Sequence, residues 1–290
     1  MENKNVLIAI VLSAAILIAW TVFVQGPQLE KQQAAQQAQL EGQQAQQPQL
    51  PAGQPAQQDA SRTVVSREEA LAQSARVSID NPRIKGSINL KGARLDDLVL
   101  KDYRETVKPT SPNIVLLSPR ESEHGYYADI GWFSEAKDIK LPDKDTVWQA
   151  DGTALEPGQP VTLSWDNGQG LTFARKFEVD ADYMFTVTDT VTNASGQPVE
   201  LAPYGRVVRY GTPKDASEFY VLHEGPIGVF DETLQEHSYG STRDEAEDGA
   251  KFTYTSTGGW MGISDKYWLV SQIPPQEEAL TGNMFYDPKS

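Results

Sequence analysis

An all-β fold, a twisted antiparallel β-sandwich, is predicted for the chain beyond about residue 76, and three observations predict it. Apolar residues there recur with period two; the alternating runs are short; and Gly, Pro, Asn and Asp interrupt them at close intervals with no long helical period between. Many short, half-buried strands separated by turn residues describe two packed sheets better than a closed barrel.

In chain order, the first element is an apolar run from Val6 to Val24, uncharged and interrupted only by Ser13 and Thr21, whose hydroxyls can bond back to helix carbonyls. At ~1.5 Å per residue it matches the ~30 Å hydrocarbon layer of a bilayer. A cleaved signal peptide is the rival reading, but Trp20 to Gln25 lacks the pair of small residues that a signal peptidase needs. Residues 1–25 are therefore expected to form a cytoplasmic start and an uncleaved transmembrane signal-anchor helix, with the large polar remainder exported. Residues 26–75 are dominated at first by Gln, Ala and Pro, as in Gln32-Gln33-Ala34-Ala35-Gln36-Gln37. So little apolar area cannot offset ordering entropy, and a flexible tether with a span on the order of 40 Å is expected. Leu29 and Leu40 do not make a heptad seam. Arg67 to Ser74 has the polar, charged character of a helical turn or two.

Residues 76–290 form the predicted sandwich. Ile84 to Leu90 and Val161 to Trp165 alternate, and the clearest alternation runs from Tyr183 to Val191, where Phe185, Val187, Asp189 and Val191 oppose a row of threonines. Asn193 to Pro198 supplies turn chemistry and Val199 to Leu201 begins the return. Further strands are predicted at Leu98 to Tyr103, Ile114 to Leu117, Leu171 to Val179, Arg206 to Tyr210, Phe219 to His223, Lys251 to Thr255 and Tyr267 to Ile273. Pro213 to Asp215 and Arg243 to Gly249 have the composition of surface loops.

With 40 acidic against 25 basic residues, the net charge of -15 repels nucleic-acid phosphates and anionic lipid headgroups alike and argues against a nucleic-acid partner. The absence of cysteine excludes disulfides and thiolate zinc sites. His223 with Glu224, and the distant His124, contain the residue types of an acid/base pair, but no spacing aligns them; with His237 they also lack metal-ligand spacing. Asp244, Glu245, Glu247 and Asp248 share only their sign with a calcium loop. Gly168-Gln169-Gly170 and Gly258-Gly259 precede no predicted helix, so they are turns or bulges and not phosphate cradles. Asn193-Ala194-Ser195 matches a glycosylation acceptor that a turn explains fully. Trp132, Trp148, Trp165, Trp260 and Trp268 are predicted as inter-sheet core before sugar platforms. No catalytic, cofactor-binding or metal residue is assigned, and no cofactor is expected.

Gly258-Gly259-Trp260-Met261-Gly262, continuing through Asp265-Lys266-Tyr267-Trp268 to Ile273-Pro274, resembles the large periplasmic domain of the YidC (YidC/Oxa/Alb) family of membrane protein insertases. Gly92 to Leu98 with Tyr103 to Thr106, Phe173 to Val191 with its turn, and Ala202 to Arg206 are similar to further stretches of that family, as is an apolar N-terminal helix containing Trp20 followed by a low-complexity tether. The resemblance implies a supersandwich-like domain in a protein that inserts and folds inner-membrane proteins, alone or beside the Sec translocon, without nucleotide, metal or covalent chemistry, and so not an enzyme. It implies a bacterial inner-membrane location, multi-pass in the intact protein but with a single N-terminal span here, and residues after about 25 periplasmic. Implied partners are Sec translocon subunits, including the SecDF accessory complex, nascent inner-membrane proteins, and the bilayer through Val6 to Val24. The family's five further membrane helices, with their groove arginine, have no counterpart after Pro274, so this sequence is expected to be an N-terminal part, truncated at its C-terminus and left with an open sheet edge. Two other readings are a membrane-anchored carbohydrate-binding or mutarotase-like sandwich, and a scaffold without a ligand.

Overall fold

In the computed structural model the described residues are 62–213, 223–247 and 251–287. The expected membrane helix Val6 to Val24 and tether to Ser61 lie outside them, as do residues 219–222 of one predicted strand. Among the described residues no helix is long and apolar enough to cross a membrane.

A short helix precedes the sheets. Ser66 opens α1 (Arg67–Ala72) with a capping box: its hydroxyl accepts from the Glu69 amide, and the Glu69 carboxylate accepts from the Ser66 amide. Those bonds hold the Glu69 carboxyl below its ordinary pKa, and Glu68 and Glu69 also suit the positive end of the helix.

The chain then forms β1 (Arg76–Asp80), β2 (Ile84–Asn89), β3 (Arg94–Arg104), β4 (Asn113–Leu117) and β5 (Tyr126–Phe133). Next come β6 (Gln149–Ala150), β7 (Ala154–Leu155), β8 (Val161–Asp166), β9 (Leu171–Val179), β10 (Phe185–Asn193) and β11 (Ala202–Arg209). The last stretch holds β12 (Gly225–Phe230), β13 (Thr233–Glu236), α2 (Tyr239–Glu247), β14 (Phe252–Thr257), β15 (Trp260–Ser264), β16 (Leu269–Gln272) and β17 (Ala279–Met284). A seven-stranded sheet has the order β11-β5-β3-β2-β1-β7, with β4 also on β3; a four-stranded sheet has the order β10-β9-β8-β6. Pairing is antiparallel except for the two-residue match of β1 with β7. A second four-stranded sheet, β13-β12-β15-β16, and the β14-β17 ladder complete the fold.

Period-two alternation places the core. Along β9 every second residue is buried: Leu171, Phe173, Arg175, Phe177 and Val179. With Val161 and Leu163 of β8 they face Val77, Ile79, Ile84, Ile88, Leu98 and Leu100 of the seven-stranded sheet. At ~25 cal/mol per Å² of apolar surface, this layer is the main source of stability. On β10, Phe185, Val187, Asp189 and Val191 are half-buried and the threonines between them exposed, as the alternation predicts.

Asp189 sits in that apolar row because Arg175 lies directly across the strand pair. Arg175 is only 1% exposed. Its Nε and Nη2 donate to the two Asp189 oxygens at 2.7 and 2.8 Å, and its guanidinium lies 4.9 Å from the Trp132 ring and 5.6 Å from the Trp148 ring. The forked bond neutralises the charge and the indoles replace its water.

The structure corrects several expectations. Arg243 to Glu247 is not loop but the second half of α2. The Ser238 hydroxyl accepts from the Ser241 amide at 3.0 Å and its carbonyl from the Thr242 amide at 3.0 Å, so a capped start nucleates a helix too polar to show an apolar stripe. The return strand after the Asn193 turn begins at Ala202, not Val199. Strand β5 escapes the alternation rule because both its faces are covered: Tyr126 and Trp132 enter the core, while Arg94 lies over Tyr127 at 5.1 Å and Arg206 pairs with Asp129 at 2.6 Å. In β12, β15 and β17, glycine marks close packing and not turns; a Cβ on Gly282 would fall 2.4 Å from the Phe230 ring.

Polar pins join the later strands to the seven-stranded sheet. The Tyr126 hydroxyl donates to the Ile263 carbonyl at 2.9 Å, and Gln272 Nε2 donates to the Asp129 and Arg206 carbonyls at 3.1 and 3.0 Å.

Breaking the central pair from one side should be costly. Arg175→Met is expected to lower stability by about 3–5 kcal/mol, whereas Arg175→Met with Asp189→Leu should recover most of that loss. Urea unfolding of the two variants against the parent decides it; equal midpoints for both would remove the role assigned to the pair.

Candidate functional site

Each histidine sits in its own neighbourhood, and His124 Nε2 is buried without a hydrogen-bond partner. His124, in the β4–β5 connection, lies 3.8 Å from Glu123. His223 Nε2 is 3.2 Å from the Pro226 carbonyl, and His237 Nε2 is 2.6 Å from the Tyr254 hydroxyl, with its ring stacked on Phe252. His124 and His223 therefore sit among different residues.

Glu224 belongs instead to a polar cluster that sequence spacing did not reveal. Arg209 at the end of β11, Asp265 in the β15–β16 turn and Tyr239 at the start of α2 converge: Arg209 Nη1 donates to Asp265 Oδ2 at 2.6 Å and the Tyr239 hydroxyl to Asp265 Oδ1 at 3.0 Å. The turn is closed by the Asp265 amide on the Trp268 carbonyl at 2.7 Å. Burial raises the Asp265 pKa above the usual carboxylate value; Arg209 and Tyr239 oppose the rise and Glu224 adds to it. Burial also raises the Tyr239 pKa, with the Asp265 charge adding to it. With both carboxylate oxygens engaged, this cluster fastens three elements together.

The tryptophans divide. Trp132 and Trp148 stack with ring centres 6.2 Å apart, Phe173 meets Trp132 edge-on at 5.0 Å, and Trp165 leans on Phe173 at 5.7 Å. These rings fill the space between the sheets. Trp260 is half-buried on β15. Trp268 is half-buried and packs edge-on against Tyr103 at 4.8 Å. Tyr103 and Tyr183 are each 44% exposed, and burial followed by a hydrogen bond to Tyr103 raises the Tyr183 pKa. The ends of β3, β9–β10 and β15–β16 thus bring aromatic rings to one rim. No motif could have found that rim, because its members lie far apart in the chain.

The remaining candidates serve local structure. Among the described residues no group of three or more His, Asp or Glu is placed to hold a metal. Asp244 is exposed on α2, Glu245 and Glu247 lie in the same helix, and Asp248 is outside the described residues. Gly168 and Gly170 turn β8 into β9, and Gly258 and Gly259 turn β14 into β15, all four with positive φ. Asn193 holds its own turn, with Nδ2 donating to the Gln197 carbonyl at 2.8 Å and Oδ1 accepting from the Ser195 amide at 3.0 Å. A polar cavity of about 90 Å³ beneath α1 is lined by Lys91, Arg94, Arg120 and Lys144 among others.

Comparison with known proteins places this geometry. Residues 76–288 match the family model described as the YidC periplasmic domain. The chain is 53% identical over 276 residues to the membrane protein insertase YidC of Nitrobacter hamburgensis, covering 94% of this chain and 44% of that protein. It is 46% identical over 301 residues to the protein of that name in Methylorubrum extorquens, covering 97% and 48%. With the Bradyrhizobium diazoefficiens counterpart it shares 44% identity over 304 residues, covering 99% and 48%. The chain spans about half the length of the curated relatives it matches.

The Asp265 cluster has a pH signature. A carboxyl whose folded pKa is raised contributes stability fully present below its unfolded pKa and lost as pH rises through the folded value. Stability from this group should therefore fall between the ordinary aspartate value of 3.8 and the raised Asp265 pKa. Tyr239→Phe, which removes a donor to the ionised form, should raise that pKa further, and Glu224→Gln should lower it. Carboxyl carbon NMR titration reads both; shifts of the same sign would refute the assignment.

Proposed function

The chain belongs to the YidC family of membrane protein insertases, and on that premise we propose that its sandwich is a docking body serving membrane protein insertion and performs no bond-making chemistry. In this reading residues 1–25 anchor the chain in the bacterial inner membrane through Val6 to Val24, residues 26–75 link it to the sandwich, with α1 at their end packed on the domain, and residues 76–290 stand in the periplasm. The outer faces of the sandwich meet Sec translocon subunits, the SecDF complex among them, while nascent inner-membrane proteins pass nearby.

The observation that carries the reading is the filled interior within a domain matched over residues 76–288. Trp132 and Trp148 lie over Arg175 and Phe173 packs edge-on against Trp132, so the space between the sheets is filled. Interaction then falls to the outside, where the exposed Tyr103 touches both Trp268 and Tyr183 and the β12–β13 hairpin presents exposed acidic residues. Exposed aromatics with polar handles suit contacts that form and release.

Asp231 and Glu236 mark the two ends of that hairpin turn and strand, and both are exposed. A photocrosslinker at either position in the intact protein in cells is expected to capture Sec subunits. Uniformly negative crosslinking from both positions would defeat the proposal, and a signal on a glycan array or in a mutarotase assay would favour the carbohydrate reading instead.

A further inference from the structure

The cavity beneath α1 is built by a tight turn. Between β2 and β3, Gly92 has φ +81° and Ala93 +49°, both left-handed, and the Gly92 amide donates to the Thr146 carbonyl at 2.7 Å. This fold-back sets Lys91 and Arg94 beside the Lys144-Asp145 loop. The opposite wall is the end of α1, with Ala70, Gln73 and Ser74, and the turn carrying Arg120 and Glu121. At about 90 Å³ the space equals roughly three waters at ~30 Å³ each, room for one tetrahedral oxyanion.

Arg94 is 4% exposed. Its Nη2 donates to the Lys144 carbonyl at 3.2 Å, whereas its Nη1 is buried with no hydrogen-bond partner. The nearest buried carboxylates are already engaged. Asp96 pairs with Arg76 and accepts from Asn89 Nδ2 at 3.3 Å; Asp97 pairs with Arg67 and accepts from the Ser87 hydroxyl at 2.7 Å. Three guanidinium groups thus share two buried carboxylates. At the mouth, Lys91 and Lys144 both reach the Asp145 carboxylate, at 2.8 and 2.7 Å, and these bonds lower its pKa to about 2. A buried polar atom without a partner, on a side chain that lines a polar space large enough for an ion, marks a place where a ligand belongs.

We propose that this cavity binds a phosphate-type oxyanion, received by Arg94 at its floor and by Lys91 and Lys144 at its mouth. The planar guanidinium matches two oxygens of such a group, while the lysines add mobile point charges. Asp145 is the competitor: it occupies both lysines when the cavity is empty and yields them when the anion enters. In a chain of net charge -15 an anion is held here only by this local excess of donors, so the site selects by geometry and not by long-range attraction. The same chemistry is offered by free phosphate and by the terminal phosphate of a lipid phosphomonoester. The inference does not depend on the insertion reading.

Calorimetric titration of the full 290-residue chain in a neutral detergent, at fixed ionic strength, tests it. Inorganic phosphate should bind saturably with chloride as a poor competitor. Arg94→Gln should abolish binding, and the double variant Lys91→Ala, Lys144→Ala should weaken it about tenfold or more. Asp145→Asn should tighten it several-fold, a gain that a merely structural role for these residues would not produce. Phosphatidylcholine vesicles with and without phosphatidic acid form the second arm: Arg94-dependent binding confined to the phosphatidic acid vesicles assigns the lipid source. No binding in either arm, equal competition by chloride, or unchanged affinity in Asp145→Asn overturns the proposal. Should Arg94→Gln fail to fold, the exposed Lys91, Lys144 and Asp145 variants carry the decision.

Discussion

A charge placed in the middle of an apolar sandwich constrains everything around it. Arg175 on β9 needs a carboxylate, and the antiparallel register delivers Asp189 directly across from it. A two-residue slip of β10 would keep its apolar row facing inward but set Val187 or Val191 across from Arg175, leaving the guanidinium unpaired in the core. The pair therefore specifies register where alternation alone would tolerate error. It also explains the indoles: Trp132 and Trp148, contributed by the opposite sheet and a connecting segment, lie over the guanidinium, so the cation helps fix how the two layers meet.

Much of this architecture was legible in the sequence, and the illegible parts have physical causes. β9 and β10 have one face in the core and one in water, and their period of two is plain. β5 has a core face and a face roofed by Arg94 and Arg206, so its burial loses that period. α2 has no apolar stripe to announce it, and only its Ser238 cap hints at a helix. The later strands are rich in glycine, which on its own reads as a turn and takes its meaning only from what packs against it. Sites fared worse than strands. The Arg209–Tyr239–Asp265 cluster, the Tyr103–Tyr183–Trp268 rim and the Arg94 cavity each gather residues from separate regions of the chain, and a single sequence carries no record of such meetings.

The two halves of the domain are joined differently from its layers. Between the first two sheets the contact is apolar and broad. Between β5, β11 and the β15–β16 hairpin, hydrogen bonds from Tyr126 and Gln272 to backbone carbonyls and the Arg209–Asp265 ion pair are prominent. Directional bonds of this kind fix orientation more than they add stability. They give the aromatic rim a defined shape, since Tyr103 belongs to β3 and Trp268 to the hairpin.

The order of strands in the largest sheet also sets a clock. β11 lies at one edge beside β5, yet it follows β1 by well over a hundred positions in the chain. At ~5–20 residues per second of synthesis, roughly 6 to 25 s separate the appearance of the two strands. Through most of that interval the early strands lack the layer formed by β8 to β10, which must cover their apolar face, and to its end they lack their edge partner. Residues 1–100 carry as many basic as acidic side chains, so the early strands emerge without net charge to keep copies apart, and the acidic excess accumulates only as the later strands are made.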